Sequence, residues 1–175
     1  MKVIIAGSTG TVGTALVKQA INNLDITEVV ALGRREVILS DDTKGDKSKL
    51  VNAVLEDFGN WTDDAREKVK GAGAAVWTLA VTPSKAREMD AKDVKRICQD
   101  YTLIGLEEIV RARGRKGEEE GVKGATAAPF RFMYISGIAA RRERNDIPEW
   151  VPEEMMGYMH MRVSGRAEGG EGSVC

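Results

Sequence analysis

Short apolar runs alternate along the chain with longer amphipathic segments, and this alternation predicts the secondary structure. Runs that are mostly apolar on both faces are typical of buried parallel strands. We predict strands at residues 2–6, 27–32, 50–55, 74–80 and 130–135. A strand, helix and strand in succession cross over in the right-handed sense, so neighbouring strands are expected to be parallel.

The segments between these runs carry apolar residues at helical spacing. A first helix is predicted from about Thr11 to Asn23, with one buried face. That face is expected to consist of Val12, Ala15, Leu16 and Ala20. Further helices are predicted over residues 62–70 and 90–113, and a final helix begins at Pro152, since proline is favoured in the first helical turn.

Two polar stretches interrupt this order. Residues 36–48 are predicted to form a solvated loop or hairpin, and Val81–Ser84 is predicted to be a loop after the fourth strand. Residues 114–128 are rich in glycine and charge, which predicts an exposed, flexible connection.

The order of these elements predicts the fold class. It is α/β, with a doubly wound parallel sheet (Rossmann-like) of about five or six strands and helices on both faces. The 175 residues suffice for one such core, and neither a repeat nor a second domain is visible. We therefore expect residues 1–175 to form a single domain.

Composition narrows the classes of partner. Aromatic residues are 5% of the chain, which predicts a mainly aliphatic core, and the formal net charge of −1 does not favour nucleic acid or an anionic membrane. The apolar runs are too short for a signal peptide or a membrane span. Cys98 and Cys175 have neither metal-binding nor redox spacing. These features predict a cytoplasmic protein without a metal site.

Three glycines stand between the first strand and the first helix, in the order GxxGxxG. Such glycines permit a tight turn, close approach of the backbone to a pyrophosphate, and close packing of the helix on the strand. The first N–H groups of the helix then face the phosphates. We assign the whole turn to cofactor binding, with a purely structural turn as the alternative: Gly7, Ser8, Thr9, Gly10, Thr11, Val12 and Gly13.

The end of the second strand indicates which dinucleotide is bound. An NAD site places an acidic residue there to hold the ribose 2′-hydroxyl. Here Gly33 occupies this position and Arg34 and Arg35 follow. Guanidinium groups match a phosphate and stack on adenine. The prediction is NADP(H) rather than NAD, although Glu36 follows and the two arginines could instead belong to an exposed loop.

Two further pairs of residues are predicted to complete the cofactor site. Asp57 and Phe58 follow the third strand and would border the adenine. Leu79 and Ala80 lie at the end of the fourth strand. Ligands of open α/β sheets bind at this carboxyl edge.

The segment IIAGSTGTVGTALVKQA, followed by VVALGRRE, resembles the atypical or extended short-chain dehydrogenase/reductases, particularly the NmrA-like and sugar-epimerase-like proteins. LEDF, AAVWTLA and FMYISG fall where that family has its adenine-side loop and its fourth and fifth strands. The resemblance implies an oxidoreductase that transfers hydride between NADP(H) and a small carbonyl-type substrate. Two alternatives are a non-catalytic redox sensor of the NmrA-like kind and a flavin or biliverdin type reductase, in which the cofactor performs the chemistry.

The resemblance also implies the catalytic residues. The family uses a serine or threonine after the fifth strand, which Ser136 matches, and a Tyr-x-x-x-Lys pair. Tyr158 and Arg162 have the spacing of that pair, but arginine replaces lysine. A second register would instead place His160 and Ser164 there. In both registers the Tyr-x-x-x-Lys motif is absent as written.

Family members continue with a sixth strand and a C-terminal region that builds the substrate pocket. This sequence ends in EGGEGSVC. We therefore expect a shortened member, which acts on an unknown small-molecule substrate as a monomer or homodimer.

Overall fold

The computed structural model describes residues 1–113 and 129–135. The strands of this part form one five-stranded sheet with the order β3-β2-β1-β4-β5, in which every neighbouring pair is parallel. The predicted Rossmann-like α/β fold is confirmed. The strands are β1 (Lys2–Ala6), β2 (Glu28–Gly33), β3 (Leu50–Val54), β4 (Ala74–Trp77) and β5 (Arg131–Tyr134).

The helices of the described residues lie where the sequence predicts them, with three additions, of which one is a 3₁₀ turn at Lys47–Lys49. The predicted 90–113 helix is present, but a π-helical turn at Arg96–Asp100 divides it. Pro83–Ala86, which begins inside the predicted loop Val81–Ser84, forms a single helical turn. The helices are α1 (Thr11–Asn22), α2 (Asp63–Val69), α3 (Pro83–Ala86), α4 (Ala91–Lys95) and α5 (Tyr101–Arg113).

Helix α1 covers one face of the sheet, but with a different buried face from the predicted one. Gly13, Val17, Ala20 and Ile21 are buried, whereas Val12 and Ala15 are exposed. The reason is the contact of Gly13 with the glycine turn, described below, which fixes the rotation of the helix about its axis. Val17, Ala20 and Ile21 then pack on aliphatic residues of the sheet, which include Val3, Ile5, Val29 and Ala31.

Helices α2 and α5 cover the opposite face, where aromatic side chains gather. The buried residues are mainly aliphatic on both faces, as predicted, but the aromatic side chains gather on this face alone. The small number of aromatic residues did not reveal that they would meet in one layer. The cluster contains Phe58, Trp61 and Trp77, with Tyr101, Phe130, Phe132 and Tyr134 packed against it.

Strand β4 ends at Trp77 rather than at Ala80. Its neighbour β1 ends at Ala6, where the glycine turn begins, so β4 loses its partner there. Residues 36–48 contain no strand, which excludes the hairpin alternative. This stretch is not wholly solvated either, because Val37 is buried and its N–H donates to Asn52 Oδ1 at 2.9 Å.

Candidate functional site

The glycine turn joins β1 to α1 at the carboxyl edge of the sheet. Gly7 has φ +76°, in the left-handed region that favours glycine. A Cβ at this position would lie 2.7 Å from Thr78 Oγ1 and 3.0 Å from the Leu79 nitrogen. Glycine is therefore required here both by the backbone conformation and by the close approach of the chain after β4.

Gly13 brings the first turn of α1 against this loop. A Cβ on Gly13 would overlap the carbonyl oxygen of Gly7 and lie 2.8 Å from Ser8 Cα. Both neighbours are backbone atoms, which cannot rotate away as a side chain can. The sequence predicts this close packing of helix and strand, and the structure shows it.

The N-terminus of α1 is open to an anion. Gly10 is the N-cap residue and supplies no side-chain hydrogen bond. Within the described residues, the N–H groups of Thr11, Val12 and Gly13 have no acceptor. The side chains of Thr9, Thr11 and Val12 are exposed around them. Unsatisfied N–H groups and the positive end of the helix dipole together form a phosphate-binding arrangement.

Ser8 differs from its neighbours in the turn because its side chain is completely buried. Its carbonyl oxygen accepts a hydrogen bond from Thr14 Oγ1 at 3.0 Å. Its own hydroxyl has no hydrogen-bond partner among the residues that the structure describes. A ligand at the turn can therefore meet the backbone of Ser8, but not its hydroxyl.

The end of β2 lies beside the turn and carries the two predicted arginines. A Cβ on Gly33 would lie 2.8 Å from Ser8 Oγ and 3.7 Å from Thr9 Cγ2, which shows how close the two loops are. Arg34 and Arg35 are exposed, and in the part of the chain that the structure describes neither forms an ion pair. Their guanidinium groups are available to a ligand.

Asp57 lies after β3, where its carboxylate is already held by the protein. Oδ1 accepts from the Gly59 N–H at 2.7 Å, and Oδ2 accepts from an Arg96 guanidinium nitrogen at 2.5 Å. The Tyr101 hydroxyl also hydrogen-bonds to the carboxylate. The bonds from Tyr101 and Gly59, together with the charge of Arg96, lower the pKa of Asp57. The Arg96 guanidinium carbon lies 5.4 Å from the centre of the Tyr101 ring.

Sequence reasoning missed Arg96 and Tyr101 as neighbours of the site. Burial, followed by the hydrogen bond to Asp57, raises the pKa of the Tyr101 hydroxyl. The π-helical turn that begins at Arg96 departs from regular helical spacing, and such turns occur frequently at functional sites. The ion pair of Arg96 with Asp57 joins residues that are 39 positions apart, which periodicity cannot reveal.

The remaining predicted cofactor residues, Phe58, Leu79 and Ala80, differ in how far their side chains are exposed to a ligand. The side chain of Phe58 is buried in the aromatic cluster, with its ring 5.8 Å from the Trp77 ring, so only its backbone can border a ligand. Leu79 is partly buried beside Gly7, and Ala80 is exposed. Thr78, which was not predicted, joins these loops because its hydroxyl donates to the Ala6 oxygen at 2.8 Å.

The predicted catalytic residues lie outside the described residues. They are Ser136, Tyr158 and Arg162, and the alternatives His160 and Ser164 lie there as well. The connection predicted at 114–128 and the final helix also fall outside them. Over residues 1–113 and 129–135, no cluster of three or more metal-ligating side chains is present. No helix in this same part is long and apolar enough to cross a membrane.

No protein-family profile matches the sequence, and no curated protein matches it. Solved structures do match its fold. One is a nucleoside-diphosphate-sugar epimerase from Agrobacterium tumefaciens, with a TM-score of 0.62, 17% identity, and coverage of 94% of this chain and 46% of that one. Another is MoeE5, solved in complex with UDP-glucuronic acid and NAD, with a TM-score of 0.60, 16% identity, and coverage of 94% and 47%.

A short-chain dehydrogenase/reductase from Saccharomyces cerevisiae also matches, with a TM-score of 0.56, 15% identity, and coverage of 92% of this chain and 60% of that one. The chain thus spans about half the length of the first two structures. At these identities the similarity concerns the fold. The chain has the parallel α/β fold of the nucleoside-diphosphate-sugar epimerases and short-chain dehydrogenase/reductases.

Proposed function

We propose that this protein binds NADP(H) and is an oxidoreductase of the short-chain dehydrogenase/reductase type. The observation that carries the proposal is the open N-terminus of α1 beside two exposed arginines. The pyrophosphate would lie over the N–H groups of residues 11–13. The ribose 2′-phosphate would lie at the end of β2, within reach of Arg34 and Arg35.

The charges around this site favour a phosphate at the end of β2. No acidic residue occupies position 33, where an NAD site would hold the ribose 2′-hydroxyl. The nearby carboxylate of Asp57 is paired with Arg96, which reduces its repulsion of an anion. Phosphates bind guanidinium groups through paired, charge-assisted hydrogen bonds, so this edge of the sheet suits the 2′-phosphate of NADP(H).

The bound cofactor would supply hydride chemistry. In the proposal, Ser136 and Tyr158 hydrogen-bond to the oxygen of a small carbonyl-type substrate, and Tyr158 exchanges a proton with that oxygen. Arg162 supplies the positive charge that favours the ionised form of the tyrosine. These roles come from the resemblance of the sequence to the family.

Titration with NADPH and NADH tests the cofactor assignment. We expect NADPH to bind at least tenfold more tightly, because a charge-assisted hydrogen bond contributes about 1.5–3 kcal/mol and about 1.4 kcal/mol corresponds to tenfold in affinity. Both titrations should be repeated at raised salt concentration, which separates site binding from general attraction of anions. Equal affinities would contradict the proposed NADP(H) preference.

A screen for NADPH consumption with carbonyl compounds, quinones and flavins tests the reaction. Tyr158→Phe is expected to abolish carbonyl reduction while nucleotide affinity is unchanged. Turnover that the substitution leaves intact would instead indicate a flavin-type reductase, in which no tyrosine proton donor is needed. Binding of NADPH without any turnover would indicate a redox sensor.

A further inference from the structure

We infer that Ser8 is a residue that determines cofactor specificity, because its buried hydroxyl keeps position 33 free of a side chain. This inference rests on the proposed NADP(H) site and extends it. Ser8 itself does not touch the ribose. It acts through position 33, which is where an acidic residue would have to stand to hold the 2′-hydroxyl of NAD.

The geometry at Gly33 supports this role. A Cβ at this position would lie 2.8 Å from Ser8 Oγ, closer than side-chain carbons approach an oxygen in folded proteins. The next neighbours are the Arg35 carbonyl oxygen at 3.2 Å and Thr9 Cγ2 at 3.7 Å. The Thr9 distance is an ordinary van der Waals contact. Arg35 lies in the exposed loop after β2, where a displacement of a few tenths of an ångström is inexpensive.

The Ser8 hydroxyl does not stabilise the described part of the structure through a hydrogen bond. Ser8 is fully buried, and its Oγ has no hydrogen-bond partner within residues 1–113 and 129–135. A buried hydroxyl without a partner disfavours folding, because it loses its hydrogen bonds to water and gains none in exchange. An alanine at position 8 would avoid this cost. The hydroxyl therefore contributes volume at position 33 rather than a hydrogen bond.

The two observations lead to one consequence for specificity. As long as Ser8 Oγ keeps its position, an aspartate at position 33 requires either the buried Ser8 hydroxyl or the glycine turn to move. With the hydroxyl removed, the nearest atom is the Arg35 carbonyl, which can yield. We therefore expect that a change from NADP(H) towards NAD(H) requires substitutions at both positions, and that neither substitution alone produces it.

A double-mutant cycle tests the inference, with Ser8→Ala, Gly33→Asp and the double variant titrated with NADPH and NADH. Gly33→Asp alone should weaken NADPH binding at least tenfold without strengthening NADH binding. The double variant should bind NADH at least tenfold more tightly than Gly33→Asp does. Ser8→Ala alone should not shift the preference of the protein towards NADH. Ser40→Ala combined with Gly33→Asp is the control, since Ser40 is exposed in the 36–48 loop.

Thermal unfolding in the absence of nucleotide tests the contact between a side chain at position 33 and Ser8 Oγ without relying on nucleotide binding. Gly33→Ala adds only the Cβ and should lower Tm by on the order of 3 °C or more, and Ser8→Ala in the same chain should restore most of this loss. If Gly33→Asp fails to fold and the double variant folds, the inference is supported. If neither folds, the obstacle at position 33 is not the Ser8 hydroxyl and the inference is wrong.

The titrations distinguish an error in the role of Ser8 from an error in the proposed NADP(H) binding. Tight NADH binding by Gly33→Asp alone, in a protein whose unsubstituted form prefers NADPH, would overturn the role of Ser8 and leave the NADP(H) proposal standing. An unsubstituted protein without preference for NADPH would contradict the proposed function. The role of Ser8 in specificity would then fall with it, and restoration of Tm by Ser8→Ala would show only the steric contact.

Discussion

The two faces of the sheet each bring a helix close by means of a glycine, but the glycines meet different neighbours. On the α1 face, Gly13 faces the backbone of Gly7 and Ser8. On the opposite face, Gly105 in α5 faces the indole ring of Trp77, and a Cβ there would lie 2.5 Å from Trp77 Cζ3. A substitution cannot remove backbone atoms, whereas it can replace the indole ring with a smaller side chain.

The two glycines also differ in their expected roles, since one lies in the proposed binding site and the other only in the core. Gly13 lies in the turn that we assign to the pyrophosphate, so a displacement there moves the N–H groups at the start of α1. Gly105 packs against the aromatic cluster, where Trp77 is buried and its indole N–H has no partner in the described part of the chain. Changes at Gly13 should therefore affect stability and nucleotide binding together, and changes at Gly105 mainly stability.

Gly13→Ala should have the largest effect. The added methyl group overlaps the Gly7 carbonyl, and overpacking of this kind costs about 1–3 kcal/mol, only partly offset by the roughly 1 kcal/mol better helix propensity of alanine. NADPH binding should be lost, because the turn must open to accommodate the methyl group. Chemical denaturation and NADPH titration measure the two effects. Normal NADPH affinity in this variant would contradict the assignment of the turn.

Gly105→Ala should have the next largest effect, a net loss of up to about 2 kcal/mol in the free energy of unfolding, by the same two opposing contributions. Trp77→Phe introduced into the same chain should recover part of this loss, because the smaller ring vacates the space and removes the unpartnered indole N–H. Chemical denaturation of the single and double variants provides the test. Purely additive losses would show that the Trp77 ring is not the obstacle.

These two glycines show how far the sequence predicts the structure. Gly13 stands at a fixed spacing from Gly7 within a strand, turn and helix, so its packing role could be predicted from local order. Gly105 interrupts a helical pattern, and nothing in the neighbouring sequence indicates why a glycine stands there. Glycine is needed because the ring of Trp77, which is distant in the chain, packs against this position. The rotation of α1 was mispredicted for a related reason, since Val12 fits an apolar face but Gly13 decides which face is buried.

The candidate site divides in the same way. The arginines after β2 and the glycine turn follow from local spacing. The pairing of Asp57 with Arg96 and Tyr101, and the burial of Ser8 against position 33, depend on loops that meet only in the fold. The position of Phe58 after β3 predicts that it borders the adenine, but its side chain belongs to the aromatic cluster.

Arg34→Ala should affect binding without affecting the fold. The side chain is exposed and forms no ion pair within the described residues, so the unfolding midpoint should stay unchanged. Loss of one charge-assisted contact to the 2′-phosphate should weaken NADPH binding by about tenfold and leave NADH binding unchanged. Arg131→Ala, an equal change of charge at an exposed arginine of β5 that forms no ion pair within the described residues, is the control. A similar loss for NADH would show that Arg34 does not bind the 2′-phosphate.

The smallest expected effect concerns pH. Because the folded protein lowers the pKa of Asp57, its carboxylate stabilises the fold fully above the unfolded pKa of about 3.9, and this contribution disappears as the pH falls through the lower folded pKa. Asp57→Asn should therefore flatten the dependence of unfolding free energy on pH below about pH 4. Denaturation curves between pH 6 and pH 3 measure this, with Asp25→Asn, a substitution of an exposed aspartate outside the site, as the control. Equal slopes for Asp57→Asn and the unsubstituted protein would contradict it.

The central claim is that the end of β2 binds a 2′-phosphate. Competitive titration of the unsubstituted protein with adenosine 2′,5′-bisphosphate and with adenosine 5′-monophosphate tests it most directly, because the two compounds differ only in that group. We expect the bisphosphate to bind at least tenfold more tightly, by the contribution of one charge-assisted contact of about 1.5–3 kcal/mol, and Arg34→Ala to remove most of the difference. Equal affinity for the two compounds would contradict the account.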